Sequence, residues 1–175
     1  SGAAGRSVMG SSVMSVTGST ALQAVEADGQ VRAAIVSGSV NVSQFIVGPN
    51  GKLYVLFTYG VNLDDTTTPG TCLLAEVDPS TGVPRCVDDT LTSIAWPAPH
   101  TGHSPAIQLD GAGAVYYAGR TSGGHTVLRK YLDETRTDLI NQDIYLKDFL
   151  VLGDGRVLVT GQTTPTGATW LRYLS

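Results

Sequence analysis

Hydrophobic positions along this chain gather into short runs separated by Gly, Pro, Asn and Asp, the pattern of strands joined by tight turns. The runs recur in phase. Gly113-Ala-Val-Tyr-Tyr-Ala-Gly119 returns as Gly155-Arg-Val-Leu-Val-Thr-Gly161, with Gly113 and Gly155 42 residues apart. Gly124-His-Thr-Val-Leu-Arg-Lys-Tyr-Leu132 returns as Gly167-Ala-Thr-Trp-Leu-Arg-Tyr-Leu174, an offset of 43. A third copy lies upstream in Gly51-Lys-Leu-Tyr-Val-Leu-Phe-Thr-Tyr-Gly60 and Gly70-Thr-Cys-Leu-Leu-Ala-Glu-Val77. A period of about 40 to 50 residues is that of four-stranded propeller blades. The pattern therefore predicts an all-β chain of three to four four-stranded antiparallel blades, complete or as part of a larger propeller.

Taken in order, residues 1–20 are rich in Gly, Ser and Ala and read as a linker, although Val13-Met-Ser-Val16 suits a short strand. The repeat domain is expected over 21–175, with units at about 45–105, 106–148 and 149–175. Asp28-Gly29 between apolar flanks predicts a hairpin. Leu53 to Phe57 is continuously apolar, so both of its faces are expected to be buried. Leu139, Ile140, Ile144, Tyr145 and Phe149 partly fit helical spacing. Repeat position instead predicts an outer strand near Leu139 and the next innermost strand near Phe149. The last unit stops after its third strand. A segment such as Val31–Val42 can complete it, or a longer chain can.

Charge is sparse, with 15% charged residues and a net charge of −4, and no basic cluster exceeds Arg129-Lys130. A nucleic-acid footprint needs several clustered cations, so none is expected. No apolar run reaches the roughly 18 residues of a membrane-spanning helix. Cys72 and Cys86 flank a strand–turn–strand segment whose turn is Asp78-Pro-Ser-Thr-Gly82, which brings them across a hairpin. A bridge there stabilises by about 3 kcal/mol and implies a secreted, periplasmic or cell-surface protein. Two buried free thiols are the alternative. Asn41-Val-Ser43 matches a glycosylation acceptor.

Asn50-Gly-Lys-Leu-Tyr-Val55, Asp154-Gly-Arg-Val-Leu-Val159 and Glu76-Val-Asp-Pro-Ser-Thr-Gly82 resemble the blades of bacterial β-propellers of the quinoprotein-like or kelch-like kind. The resemblance covers about residues 45–175 and implies the fold, while function must come from a site. The chain departs from those families in lacking a vicinal cysteine pair and a kelch Gly-Gly doublet at the blade position.

About 17 extra residues interrupt the period between Gly60 and Gly119, and insertions in repeat proteins often form a binding face. They carry Trp96, His100 and His103. With His125, these histidines could hold zinc or transfer protons, or be ordinary solvated loop residues. Asn62, Asp64 and Asp65 offer hard oxygen ligands for calcium but lack the rest of a calcium loop, and a soluble hairpin tip is the simpler reading. Tyr54, Tyr59, Tyr116, Tyr117 and Trp96 are either an aromatic platform or cross-strand packing. Arg129 and Arg172 hold equivalent repeat positions and are expected on a solvated strand face. No cofactor is expected beyond these calcium and zinc candidates.

The expected function is a non-enzymatic extracellular module presenting a loop face to a protein or glycan. One alternative is a structural subunit of a surface assembly whose sheet edges neighbouring chains complete. Another is a propeller lyase or hydrolase using His100, His103 and His125.

Overall fold

The computed structural model describes residues 14–16, 19–25, 31–37, 42–48, 51–64, 70–78, 80, 83–94 and 105–175, with side chains described from Gln44 onward except Thr58 and Tyr59. Every regular element among these is a strand, and every strand pairing is antiparallel. The chain forms two compact units, Ser1–Thr90 and Leu91–Ser175.

The first unit holds a three-stranded sheet of β1 (Met14–Val16), β2 (Ser19–Val25) and β3 (Val31–Ser37), so strand pairing begins inside the stretch read as a linker. Val25 pairs with Val31, while residues 26–30 between them, with the expected Asp28-Gly29 turn, lie outside the described residues. A four-stranded meander follows: β4 (Val42–Val47), β5 (Leu53–Val61), β6 (Cys72–Val77) and β7 (Pro84–Asp88). Leu53, Val55 and Phe57 pack with Cys72, Ala75 and Val77, while Tyr54 and Leu56 on the other face are also buried. The continuously apolar strand is thus covered on both sides. Buried Glu76 accepts from Arg85 Nε at 3.0 Å and Nη2 at 2.6 Å and pairs with Lys52 at 3.3 Å. A buried carboxylate needs such partners.

The second unit repeats the meander as β8 (Ile107–Leu109), β9 (Val115–Arg120), β10 (Thr126–Leu132) and β11 (Thr135–Gln142). It then continues with a three-stranded sheet, β12 (Tyr145–Val151), β13 (Val157–Gln162) and β14 (Thr169–Leu174). The stretch with partial helical spacing is therefore the strand pair β11 and β12.

One turn joins the first two strands of each of the three related sheets. Gly51, Gly113 and Gly155 have φ of 77°, 86° and 86°, and each donates its N–H to the carbonyl three residues earlier. Only glycine adopts this left-handed backbone without cost, which explains the in-phase glycines. The β10–β11 turn has two residues, Asp133 (φ 48°) and Glu134 (φ 64°), with Leu132 pairing Thr135. Such turns favour Asn-Gly, and a non-glycine residue pays about 1 to 2 kcal/mol in the left-handed region. Glu134→Gly is therefore expected to raise the unfolding free energy by about 0.5 to 1 kcal/mol, since glycine's larger unfolded-state entropy offsets part of the relief. Urea unfolding checks it.

The two sheets of this unit share a core. Ala114, Tyr116, Ala118, Leu128 and Ile140 from the first pack against Leu146, Phe149, Val157 and Val159 from the second. Buried polar groups fix their register. Gln108 Nε2 donates to the Phe149 carbonyl at 2.7 Å, and Val151 N–H donates to Gln108 Oε1 at 2.9 Å. Gly111 N–H donates to the Gly153 carbonyl at 2.9 Å, and a Cβ on Gly111 would stand 2.6 Å from that oxygen.

Candidate functional site

The residues predicted to carry chemistry fall in three places. Trp96, His100, His103 and Asp65 lie outside the described residues, as does Tyr59 as a side chain. Asn62 Oδ1 accepts the N–H of Asp64 at 3.1 Å, a local turn contact, with the Asp64 side chain exposed. His125 stands at the end of the β9–β10 turn, exposed, its Nδ1 3.3 Å from Asn141 Oδ1. Among the described residues no group of three or more His, Cys, Asp or Glu is placed to share a metal ion. Cys72 and Cys86 form a disulfide, with Cα atoms 5.7 Å apart.

Thr92 and Arg120 exchange both backbone hydrogen bonds at 2.8 Å, which ties the start of the insert to the end of β9 and to the turn that carries His125. From there a polar row crosses β10 and β11. Asn141 Nδ2 donates to Asp138 Oδ2 at 3.1 Å, and Arg129 Nε donates to Asp138 Oδ1 at 2.6 Å.

That row corrects one expectation. The Arg129 side chain is only 11% exposed, because it lies opposite fully buried Tyr117 in the ladder. Strand alternation gave the correct parity, but the second face of this sheet is covered too. Arg172 is exposed as expected, and its guanidinium lies 4.6 Å from the centre of the Trp170 ring. Tyr54, Tyr116 and Tyr117 are buried, so they pack in the core and offer no platform.

Sequence reasoning passed over Asp110. It sits in the β8–β9 turn, its Oδ1 accepting the N–H groups of Ala112 at 3.0 Å and Ala114 at 2.9 Å. Tyr116 donates its hydroxyl to Oδ2 at 2.9 Å, and Lys130 Nζ stands 3.5 Å from the same oxygen. Burial pushes the carboxyl up, yet the bonds from Ala114 and Tyr116, the Lys130 charge and the Ala112 bond outweigh it and hold Asp110 below its ordinary 3.8. Burial raises the Tyr116 phenol above its ordinary 10.0. The bond to Tyr116 raises Lys130, against its partial burial. Each group is thereby fixed in the form it holds at neutral pH, so the cluster braces the fold and has no proton to exchange there.

The most exposed apolar surface among the described residues of the second unit lies on β14. Thr160 pairs with Leu171 and Leu158 with Tyr173, just as Ala118 pairs with Leu128 and Tyr116 with Lys130. Leu128 is completely buried, but its counterpart Leu171 is 61% exposed and Tyr173 65% exposed. Leu150, opposite Leu158, extends the same face and is 43% exposed. β11 pairs with the outer edge of β10, while among the described residues no strand pairs with the outer edge of β14. The sequence of β14 does not show which of its side chains are bared. No protein-family model matches this chain, and no curated protein matches it significantly.

Proposed function

We propose that this chain is a non-enzymatic interaction module of an exported protein, and that it engages a protein partner through the exposed apolar face of the sheet β12–β14. The observation that carries this reading is the exposure of Leu150, Leu171 and Tyr173 on one sheet face, where Leu128, the counterpart of Leu171 in the preceding sheet, is buried. Contiguous exposed apolar side chains mark protein-binding surfaces. We read the repeated meanders as blades of a β-propeller, complete or part of a larger one, of the bacterial quinoprotein-like or kelch-like kind. Their common strand order and recurrent turn support that reading. Export is supported by the Cys72–Cys86 disulfide, and no helix among the described residues is long and apolar enough to cross a membrane.

A displayed library of random extended peptides tests the reading. Selected peptides are expected to bind the wild-type chain and to lose at least tenfold in affinity for a folded Leu171→Lys/Tyr173→Lys variant. Peptides that bind both chains equally, or ligands found only on a glycan array, would overturn it in favour of the loop face around His125.

A further inference from the structure

The two ends of the Cys72–Cys86 bridge stand in different surroundings. We infer that the bridge is a one-sided exchange site, where a small aliphatic thiol enters at Cys86 and Cys72 is the leaving and resolving sulfur. Cys72 is only 4% exposed and belongs to the core formed by Leu53, Val55, Phe57, Ala75 and Val77. It lies on β6, an inner strand paired with β5 on one side and β7 on the other. Cys86 lies on β7 at the margin of that core and is half-buried. Exchange begins when a thiolate reaches one sulfur from the side opposite the other, so access selects which sulfur is attacked. The core closes that approach to Cys72.

A backbone irregularity beside Cys86 gives the released sulfur a partner. Leu74 pairs with Asp88 and Ala75 with Cys86, so Val87 is the extra residue of a β-bulge. At this bulge the Leu74 carbonyl oxygen lies 3.3 Å from Cys72 Sγ and 3.8 Å from Cys86 Sγ. A thiolate expelled at Cys72 would face that oxygen inside an apolar core, which is unfavourable, so it leaves with proton uptake. As a thiol it donates its S–H to the Leu74 carbonyl. The step balances. The external thiolate bonds to Cys86 Sγ, the Sγ–Sγ bond breaks, and its electron pair leaves on Cys72 Sγ, which takes a proton from solvent. One disulfide replaces another, and no oxidant is consumed. The Cα atoms stand 5.7 Å apart, so while the hairpin holds Cys72 remains in range to reverse the step.

Trapping the mixed disulfide tests the route. The folded wild-type chain is incubated with excess glutathione as the probe thiol, quenched in acid, and its disulfide peptides are mapped by mass. At least about tenfold more glutathione is expected on Cys86 than on Cys72, with Cys72 recovered as the free thiol. In urea above the unfolding transition the preference is expected to vanish, because both sulfurs are then reachable. Equal labelling of the folded chain, or an excess on Cys72, would overturn the inference. So would a folded chain that forms no mixed disulfide while its unfolded form does. Two variants read the same asymmetry without the reverse step. With glutathione disulfide, Cys72→Ser is expected to be modified at Cys86 at least about tenfold faster than Cys86→Ser is at Cys72. Equal or reversed rates in folded variants would overturn it, and the wild-type map decides the question even where a variant fails to fold.

Discussion

Replacing Asp110 by alanine is expected to lower the unfolding free energy by about 3 to 5 kcal/mol, since each buried donor left without an acceptor costs about 1 to 3 kcal/mol. Three donors lose their acceptor: the N–H groups of Ala112 and Ala114 and the hydroxyl of Tyr116. Ala112 is exposed and can turn to water, but Ala114 and Tyr116 are completely buried. The Tyr116 hydroxyl keeps one poorer acceptor, the Gly155 carbonyl at 3.3 Å, which limits the loss. Asp110→Asn can still accept the two backbone bonds through its amide oxygen, so it is expected to cost less than alanine. Tyr116→Phe combined with Asp110→Ala should cost less than the two separate losses together, because both remove the same bond. Urea unfolding at neutral pH measures all four variants against the wild type.

The same carboxylate gives the fold an acid limit of known sign. Asp110 titrates below its ordinary 3.8 when folded, so the unfolded chain takes up its proton first as pH falls. Its stabilisation is complete above about pH 5 and is lost as pH drops through 4 towards the folded value. Wild-type stability is thus expected to fall more steeply below pH 4 than that of Asp110→Asn. Parallel curves for the two proteins would show that the buried ion contributes nothing to the slope.

Why one part of this molecule was legible in sequence and another was not has a physical cause. Strand order and the three glycine turns depend on local alternation and backbone sign, which a short window contains. Gly113 and Gly155 announce themselves because no other residue takes φ near 86° without strain. Asp110 was not legible, since its four partners span residues 112 to 130 and nothing local shows that a carboxylate there is buried. β10 and β14 share the run Leu-Arg, yet Leu128 is covered and Leu171 is bare. The difference lies in which neighbours surround each sheet, not in the strand. Arg129 shows the same limit, for alternation set its face but not what covers that face.

Removing the disulfide, by Cys72→Ala with Cys86→Ala, is expected to cost more than the about 3 kcal/mol of loop-closure entropy that a cross-link of this span withholds from the unfolded chain. The bridge joins residues 14 apart in sequence, across β6 and β7. Cys72 is also part of the core formed by Leu53, Val55 and Phe57, so truncation there removes packing in addition to the link. Reducing the wild-type chain without mutation separates the two contributions. It keeps both sulfur atoms and removes only the constraint, so it should destabilise less than the double substitution. The denaturant slope should rise slightly in both cases, because an unlinked unfolded chain exposes more surface. Amide exchange should quicken chiefly in β5 to β7, where the ladder is tied by the bridge. If the reduced chain instead lost nothing at neutral pH, the hairpin would be held by its own pairing and by Glu76 with Arg85. The bridge could then no longer be counted as a stabilising adaptation to an oxidising compartment, and the case for export would lose its main physical support.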